Sequence, residues 1–200
     1  MKIQDVTGDR EIYTAKVYLV TGTWNAIDDV NTLIDVGRDT STLQKIERAS
    51  TGVGKRRVEQ VILTHGHYDH SELLPAICEA YHPTVYAASP SLAGVDRRLA
   101  GGETIRCGDD WAEIIRVPVH SDDSVLIYFR SSETLFAGDT PLVIRSADAT
   151  YGPEFLTIMR RLARLPIESI WFGHGDPVLT GGRQVIAQSL AVLESATALT

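Results

Sequence analysis

The run His65-Gly66-His67-Tyr68-Asp69-His70 puts three of the chain's six histidines into six consecutive positions, directly after the apolar stretch 58–64, VEQVILT. That stretch reads as a strand buried on both faces. The motif demands that the strand stop and the chain turn where imidazoles crowd together. Residues two apart on an extended strand point the same way, so His65 and His67 can converge on one point as the strand runs out. Gly66 between them adds no bulk and lets the backbone turn. Asp69 and His70 follow where a helix is about to begin, and so project from another direction. Two ligand pairs leaving a strand end at different angles suit two adjacent metal ions better than one. Imidazole and carboxylate are ligands for Zn²⁺, Fe²⁺ or Mn²⁺. A polar surface loop would explain a lone histidine, but not three with an aspartate behind a buried strand.

The remaining pattern alternates short strands and amphipathic helices. Strands are expected at 11–20, 30–37, 58–64, 83–89, 103–107, 111–119, 124–130, 133–139 and 167–173. Helices are expected at 40–50, 71–81, 152–165, with Pro153 in the first turn, and 181–199. No repeat, low-complexity tract or linker interrupts this order, so residues 1–200 read as one α/β domain. The order suits a four-layer αββα sandwich, two mixed sheets packed face to face with helices outside.

Composition removes several classes. The formal net charge is −7, with 19 Lys and Arg against 26 Asp and Glu, which disfavours nucleic acid and anionic membrane surfaces as partners. Cys78 and Cys107 stand alone and read as reduced thiols rather than a disulfide framework. The first ten residues have no apolar core of a signal peptide, and no apolar run spans a bilayer, so a cytoplasmic protein is expected. A small-molecule substrate is the expected partner. The helix at 153–165 and the strand edges could also serve a homodimer interface.

Three further groups end strand-like runs, where loops gather and sites form: His120 in VPVHSDDS, Asp139 in FAGDT and His174 in FGHGD. Only His82 is left over, and it reads as a surface residue before Pro83. The set resembles the metallo-β-lactamase-fold hydrolase superfamily, in its dinuclear branch that includes glyoxalase II-like thioesterases. The resemblance runs from VYLV (17–20) to GHGD (173–176). It implies that His65, His67 and His120 bind a first metal, that Asp69, His70 and His174 bind a second, and that Asp139 bridges them. Two departures stand out. Val117-Pro118-Val119 precedes His120 where Thr-Pro-Gly is usual, and Ser71-Glu72-Leu73-Leu74 follows the motif where a Gly pair is usual. Neither removes a ligand. No cysteine occupies a ligand position, which argues against the β-lactamase subclass that binds its second zinc through a thiolate.

The resemblance implies a dinuclear metal-dependent hydrolase, with two divalent ions, zinc first and iron or manganese by the same ligand types. A metal-bridging hydroxide would attack an ester, thioester, lactone or phosphoester, with Asp69 orienting it. Plain helix capping is the competing role for Asp69. The resemblance implies that the turn TGTWNAIDD overhangs the metals, so Trp24 is a candidate lid, with a packed turn residue as the equal alternative; Tyr68, Arg145 and Tyr151 are further candidates for substrate contact. Only 26 residues follow His174, so a full glutathione-binding domain of the glyoxalase II kind is not expected. The competing reading is a mononuclear iron oxidoreductase of the persulfide dioxygenase type, against which the complete set of seven ligands speaks.

Overall fold

A computed structural model describes residues 1–146 and 151–197. Six strands, β1 (Lys2–Asp5), β2 (Tyr18–Thr21), β3 (Thr32–Ile34), β4 (Gln60–Ile62), β5 (Thr84–Ala87) and β6 (Arg97–Arg98), form one sheet in sequence order. Five more, β7 (Thr104–Cys107), β8 (Asp110–Arg116), β9 (Val125–Phe129), β10 (Thr134–Gly138) and β11 (Ser169–Phe172), form a second sheet in the order β11-β10-β9-β8-β7. Both are mixed: β3 to β6 run parallel after an antiparallel start, and β11 runs parallel to β10 on an otherwise antiparallel meander.

The period-2 alternation of side chains divides the core into three layers. On β2, Tyr18 and Val20 join the layer between the sheets, while Leu19 faces the opposite side. On β9, Ile127 and Phe129 point to the inter-sheet layer, and Leu126 and Tyr128 point away from it. The first outer layer is closed by α1 (Ser41–Arg48), through Ile46, and by α3 (Leu74–Tyr81), through Leu74 and Ile77. The second is closed by α4 (Pro153–Leu162) and α5 (Gly182–Thr197). On α4, Phe155, Met159 and Leu162 recur at helical spacing and are all buried, so Phe155→Ala should cost about 3–5 kcal/mol. The four-layer sandwich expected from the sequence is the architecture observed. Among the described residues no helix is long and apolar enough to cross a membrane.

Three local expectations need correction. The strand expected at 11–20 is confined to β2, because the N–H groups of Ala15 and Lys16 donate to the carbonyls of Asp69 and Gly173 instead of to a neighbouring strand. β1 has no apolar alternation to announce it; it is an exposed edge paired to β2. The helix expected at 71–81 is two pieces, a short α2 (Tyr68–Ser71) and then α3. His82 closes α3 in the left-handed conformation at φ +50°, a structural role rather than a site role.

Candidate metal centre

Strand β4 ends at Ile62, the chain bends at Thr64, and His67 stands in extended conformation at the N-cap of α2 with ψ 148°. His65 and His67 therefore project together, with His65 Nε2 3.1 Å from His67 Nδ1. His120, on the loop after β8, brings its Nε2 to 3.0 Å from the same nitrogen. These three form one group of converging donors, with His65 buried and the other two exposed.

A second group gathers beside it: Asp69 and His70 from α2, Asp139 from the end of β10 and His174 from the loop after β11. His174 Nε2 lies 3.0 Å from Asp69 Oδ2 and 3.6 Å from Asp139 Oδ2. Asp139 Oδ2 is also 3.6 Å from His120 Nε2, so one carboxylate oxygen reaches both groups. Asp69 does not cap α2, since no side-chain cap bond is made there; its carboxylate turns toward His174.

Two glycines make this approach possible. A Cβ on Gly173 would lie 2.3 Å from Asp139 Oδ1 and 2.6 Å from His70 Cε1. Gly138 turns at φ +52° against Thr64, which aims Asp139 back over the sheet end.

Behind the histidines lies Asp35, buried at the end of β3 with φ +57°, a residue that sequence reasoning missed. Its Oδ2 accepts the Nδ1–H of His70 at 2.7 Å, which leaves Nε2 facing Asp139. It also accepts the Thr64 hydroxyl at 2.8 Å and, through Oδ1, the Thr64 N–H at 2.8 Å. Thr64 Oγ1 in turn stands 3.2 Å from His65 Nδ1, so Asp35 steadies one histidine of each group, directly in one case and through a hydroxyl in the other. The only signal in the sequence was an Asp held between a buried strand and a glycine. Asp123 is the second omission: it accepts the Gly66 N–H at 2.8 Å and the Ser121 hydroxyl at 2.6 Å, fixing the loop that carries His65 and His67.

The electrostatics suit ligation. Burial, helped by the nearby His70, pushes His65 down to about 4, so it is neutral at pH 7 with a lone pair to give. Burial acts the same way on His70, but the Asp35 and Asp139 carboxylates outweigh it and raise it to about 10. Burial would raise Asp139, yet the His70 imidazole facing it and the surrounding histidines hold it at about 2. This pocket of carboxylates thus favours a positive charge at its centre. Among the described residues His70 Nε2 and Asp139 Oδ1 are both buried and neither has a hydrogen-bond partner, although they stand 3.2 Å apart. An ion between them would satisfy both atoms, so the residues present fit a bound divalent cation.

The candidate substrate residues fare differently. Trp24, 88% exposed, lies in the turn between β2 and β3, where the neighbouring Thr23 N–H bonds Asp109 in the turn between β7 and β8. That is the end of the sandwich opposite the histidines, because β2 runs antiparallel to β3 and β4, and the C-terminal end of β4 leads to His65. Trp24 therefore cannot overhang the centre. Tyr68, within the motif, is exposed, with the Arg38 guanidinium 5.1 Å from its ring centroid. Arg145 is exposed, next to an Ile144 whose N–H is tied to Ser189 of α5. Tyr151 packs on Phe155 and lines a cavity of about 430 Å³ with Pro118 and Val119, the residues just before His120. Residues 147–150 of that loop lie outside the described residues.

A third residue that the sequence did not announce is Tyr13. Its ring stacks on His174 at 4.9 Å and 14°, and its hydroxyl lies 3.3 Å from His174 Nε2.

Comparison with known proteins places this arrangement in context. The family model described as the metallo-beta-lactamase superfamily matches residues 14–174. A hydroxyacylglutathione hydrolase of Chelativorans sp. (strain BNC1) is 24% identical over 151 residues, covering 72% of this chain and 57% of that protein. One of Rhodopseudomonas palustris is 30% identical over 125 residues, covering 59% and 49%. The chain thus spans about half the length of the curated relatives it matches. A beta-lactamase domain protein from Burkholderia ambifaria superposes with a TM-score of 0.70 at 19% identity, over 96% of this chain and 73% of that one. At that identity the likeness concerns the fold alone.

Proposed function

The chain belongs to the metallo-beta-lactamase superfamily, and from that premise we propose that it is a dinuclear metal-dependent hydrolase of a small-molecule ester, thioester, lactone or phosphoester. The observation that carries the reading is the position of Asp139 Oδ2, 3.6 Å from a histidine of each donor group. One oxygen shared by two converging sets is the arrangement a pair of neighbouring ions needs. His65, His67 and His120 would hold one ion, Asp69, His70 and His174 the other, and Asp139 both. When bound, such ions supply Lewis acidity and bring the pKa of a water toward neutrality, zinc being the first choice for these ligands and iron or manganese the others.

The chain's own groups do the rest. Asp69, whose Oδ2 lies 3.0 Å from His174 Nε2, accepts a hydrogen bond from the attacking water and takes up its proton as the water oxygen adds to the acyl carbon. The carbonyl electron pair moves onto its oxygen; it returns as the bond to the leaving sulfur or oxygen breaks, and the leaving atom receives the proton. Asp35 keeps the Nδ1 proton of His70 in place throughout. His120, Asp139, Thr140, Phe172 and His174 line a mouth of about 290 Å³, a size that suits the reacting end of a small molecule.

Thioesters are the first class to test, since the curated relatives are by name hydrolases of an acylglutathione. The test is metal content per chain by elemental mass spectrometry on protein purified without chelator, followed by a panel of acyl thioesters, esters, lactones and phosphoesters. About two equivalents, with turnover on the panel that chelation abolishes and added zinc restores, is the expected result. One equivalent, all of it iron, with no hydrolysis would replace this reading by the oxidoreductase one.

A further inference from the structure

Tyr13 sits on the segment that crosses from β1 to β2, and that segment is fastened at many points. The Arg10 N–H donates to the buried Asp39 carboxylate at 2.7 Å, and the Asp9 N–H to Ser41 Oγ at 2.9 Å. Beyond Tyr13, the Ala15 N–H donates to the Asp69 carbonyl at 3.0 Å and the Lys16 N–H to the Gly173 carbonyl at 2.7 Å. The segment is thus tied on one side to the start of α1 and on the other to α2, which carries Asp69, and to the loop that carries His174. Yet the side chain held this firmly is 61% exposed, and Ile12 beside it is 41% exposed. Burial does not explain an aromatic ring pinned at the rim of a site; contact with something that enters the site does.

Its direction says what it would contact. Three oxygens face His174 Nε2: Asp69 Oδ2 at 3.0 Å, Tyr13 Oη at 3.3 Å and Asp139 Oδ2 at 3.6 Å. The two carboxylates converge there as ligands would. The phenol is the one group of the three that carries a proton to donate. Once the Nε2 lone pair is committed to an ion, the phenol O–H loses that acceptor and must find another at the same place. The candidate at the mouth is the oxygen of an incoming acyl group. The geometry points to Tyr13 as a substrate-contacting residue whose hydroxyl donates a hydrogen bond to the acyl oxygen as that oxygen gains negative charge. This inference rests on the metal-dependent reading above.

The test uses the full chain loaded with Co(II), whose visible absorption reports the coordination of the ions, and acetohydroxamate as a probe with an anionic oxygen. Tyr13→Phe keeps the ring stacked on His174 and removes only the hydroxyl. The expected result is an unchanged Co(II) spectrum without probe and about a tenfold weaker affinity for acetohydroxamate, as for loss of one hydrogen bond to a charged oxygen. On a hydrolysed substrate, kcat should fall about tenfold with KM within twofold, because the bond strengthens in the transition state. Tyr13→Ala should match the Phe variant in both readouts if the hydroxyl, rather than ring packing, carries the effect. Equal acetohydroxamate affinity in wild type and Tyr13→Phe would overturn the proposal. So would a Co(II) spectrum altered by the substitution alone, which would make the phenol a ligand. A wild-type chain that takes up no Co(II) would remove the metal reading and this role together. A Co(II) chain that shows the affinity difference but hydrolyses nothing on the panel would uphold the contact and retire the hydrolase reading.

Discussion

The two donor groups are built differently although they share a carboxylate. His65, His67 and His120 come from the end of β4 and a loop after β8, and two of the three are exposed. Their support is a surface network in which Asp123 and Ser121 hold the turn around Gly66. In the other group Asp69 and His70 are buried, and Asp139 and His174 partly so. Its support is internal: Asp35 sits directly against His70, and the β1–β2 segment lies over Asp69 and His174. Burial and two carboxylates make this second half a preformed negative cradle, whereas the first depends on loops to bring its three imidazoles together. The first half should therefore exchange its ion readily with solvent, and the second should keep its ion longest under a chelator.

Asp139→Ala is the change expected to erase the difference, because one oxygen serves both halves. Both ions should be lost and hydrolysis should fall to background; a variant that kept two equivalents and full turnover would make the shared-carboxylate geometry irrelevant. Asp35→Asn should sharpen the contrast. It removes the charge behind His70 but touches His65 only through Thr64. Affinity at the second half should drop about 10–100-fold in a competitive chelator titration, with a smaller loss at the first. Equal losses at both would show that the two halves are one unit. Asp123→Asn acts on the other side: it weakens the bonds that fix Gly66, so the first half alone should lose about threefold to tenfold in affinity.

The sequence revealed the parts of this molecule that obey periodicity and missed those set by contacts between distant segments. Val61, Leu63 and the alternating residues of β9 announced buried strands, and Phe155, Met159 and Leu162 announced the buried face of α4, because one side of each element repeats at its own period. The donor residues were legible because all seven are histidines or aspartates, either within the motif itself or at the ends of strands. Asp35 was not, since nothing local tells a buried aspartate behind a histidine from one in a turn. Tyr13 was hidden for the opposite reason: EIYTAKVYLV alternates like a strand, and only the carbonyls of Asp69 and Gly173, more than fifty residues away, draw its first half off the sheet. Trp24 was misplaced because the expected overhang fixed no strand direction; antiparallel pairing of β2 with β3 sends that turn to the far end.

The smallest expected effect concerns the segment that covers the second half alone. Asp39 is buried, and burial by itself would raise its pKa; the N–H groups of Ser41 and Arg10, with the Arg10 charge, reverse this and hold it below the ordinary carboxylate value of 3.8. A carboxylate depressed in the folded state contributes stability that is present above its unfolded pKa and is lost as pH falls through its folded one. Asp39→Asn removes that contribution. Thermal melts should therefore show the variant less stable than wild type at pH 7, with the gap narrowing as pH falls below about 4. The amide can still accept one N–H, so the segment should loosen rather than detach. Chelator titration should then release the second ion slightly more easily in the variant and leave the first unchanged. A gap in melting temperature that stays constant down to pH 3 would show that packing around Asp39, not its charge, anchors the segment. A matching loss at the first half would show that the segment bears on both.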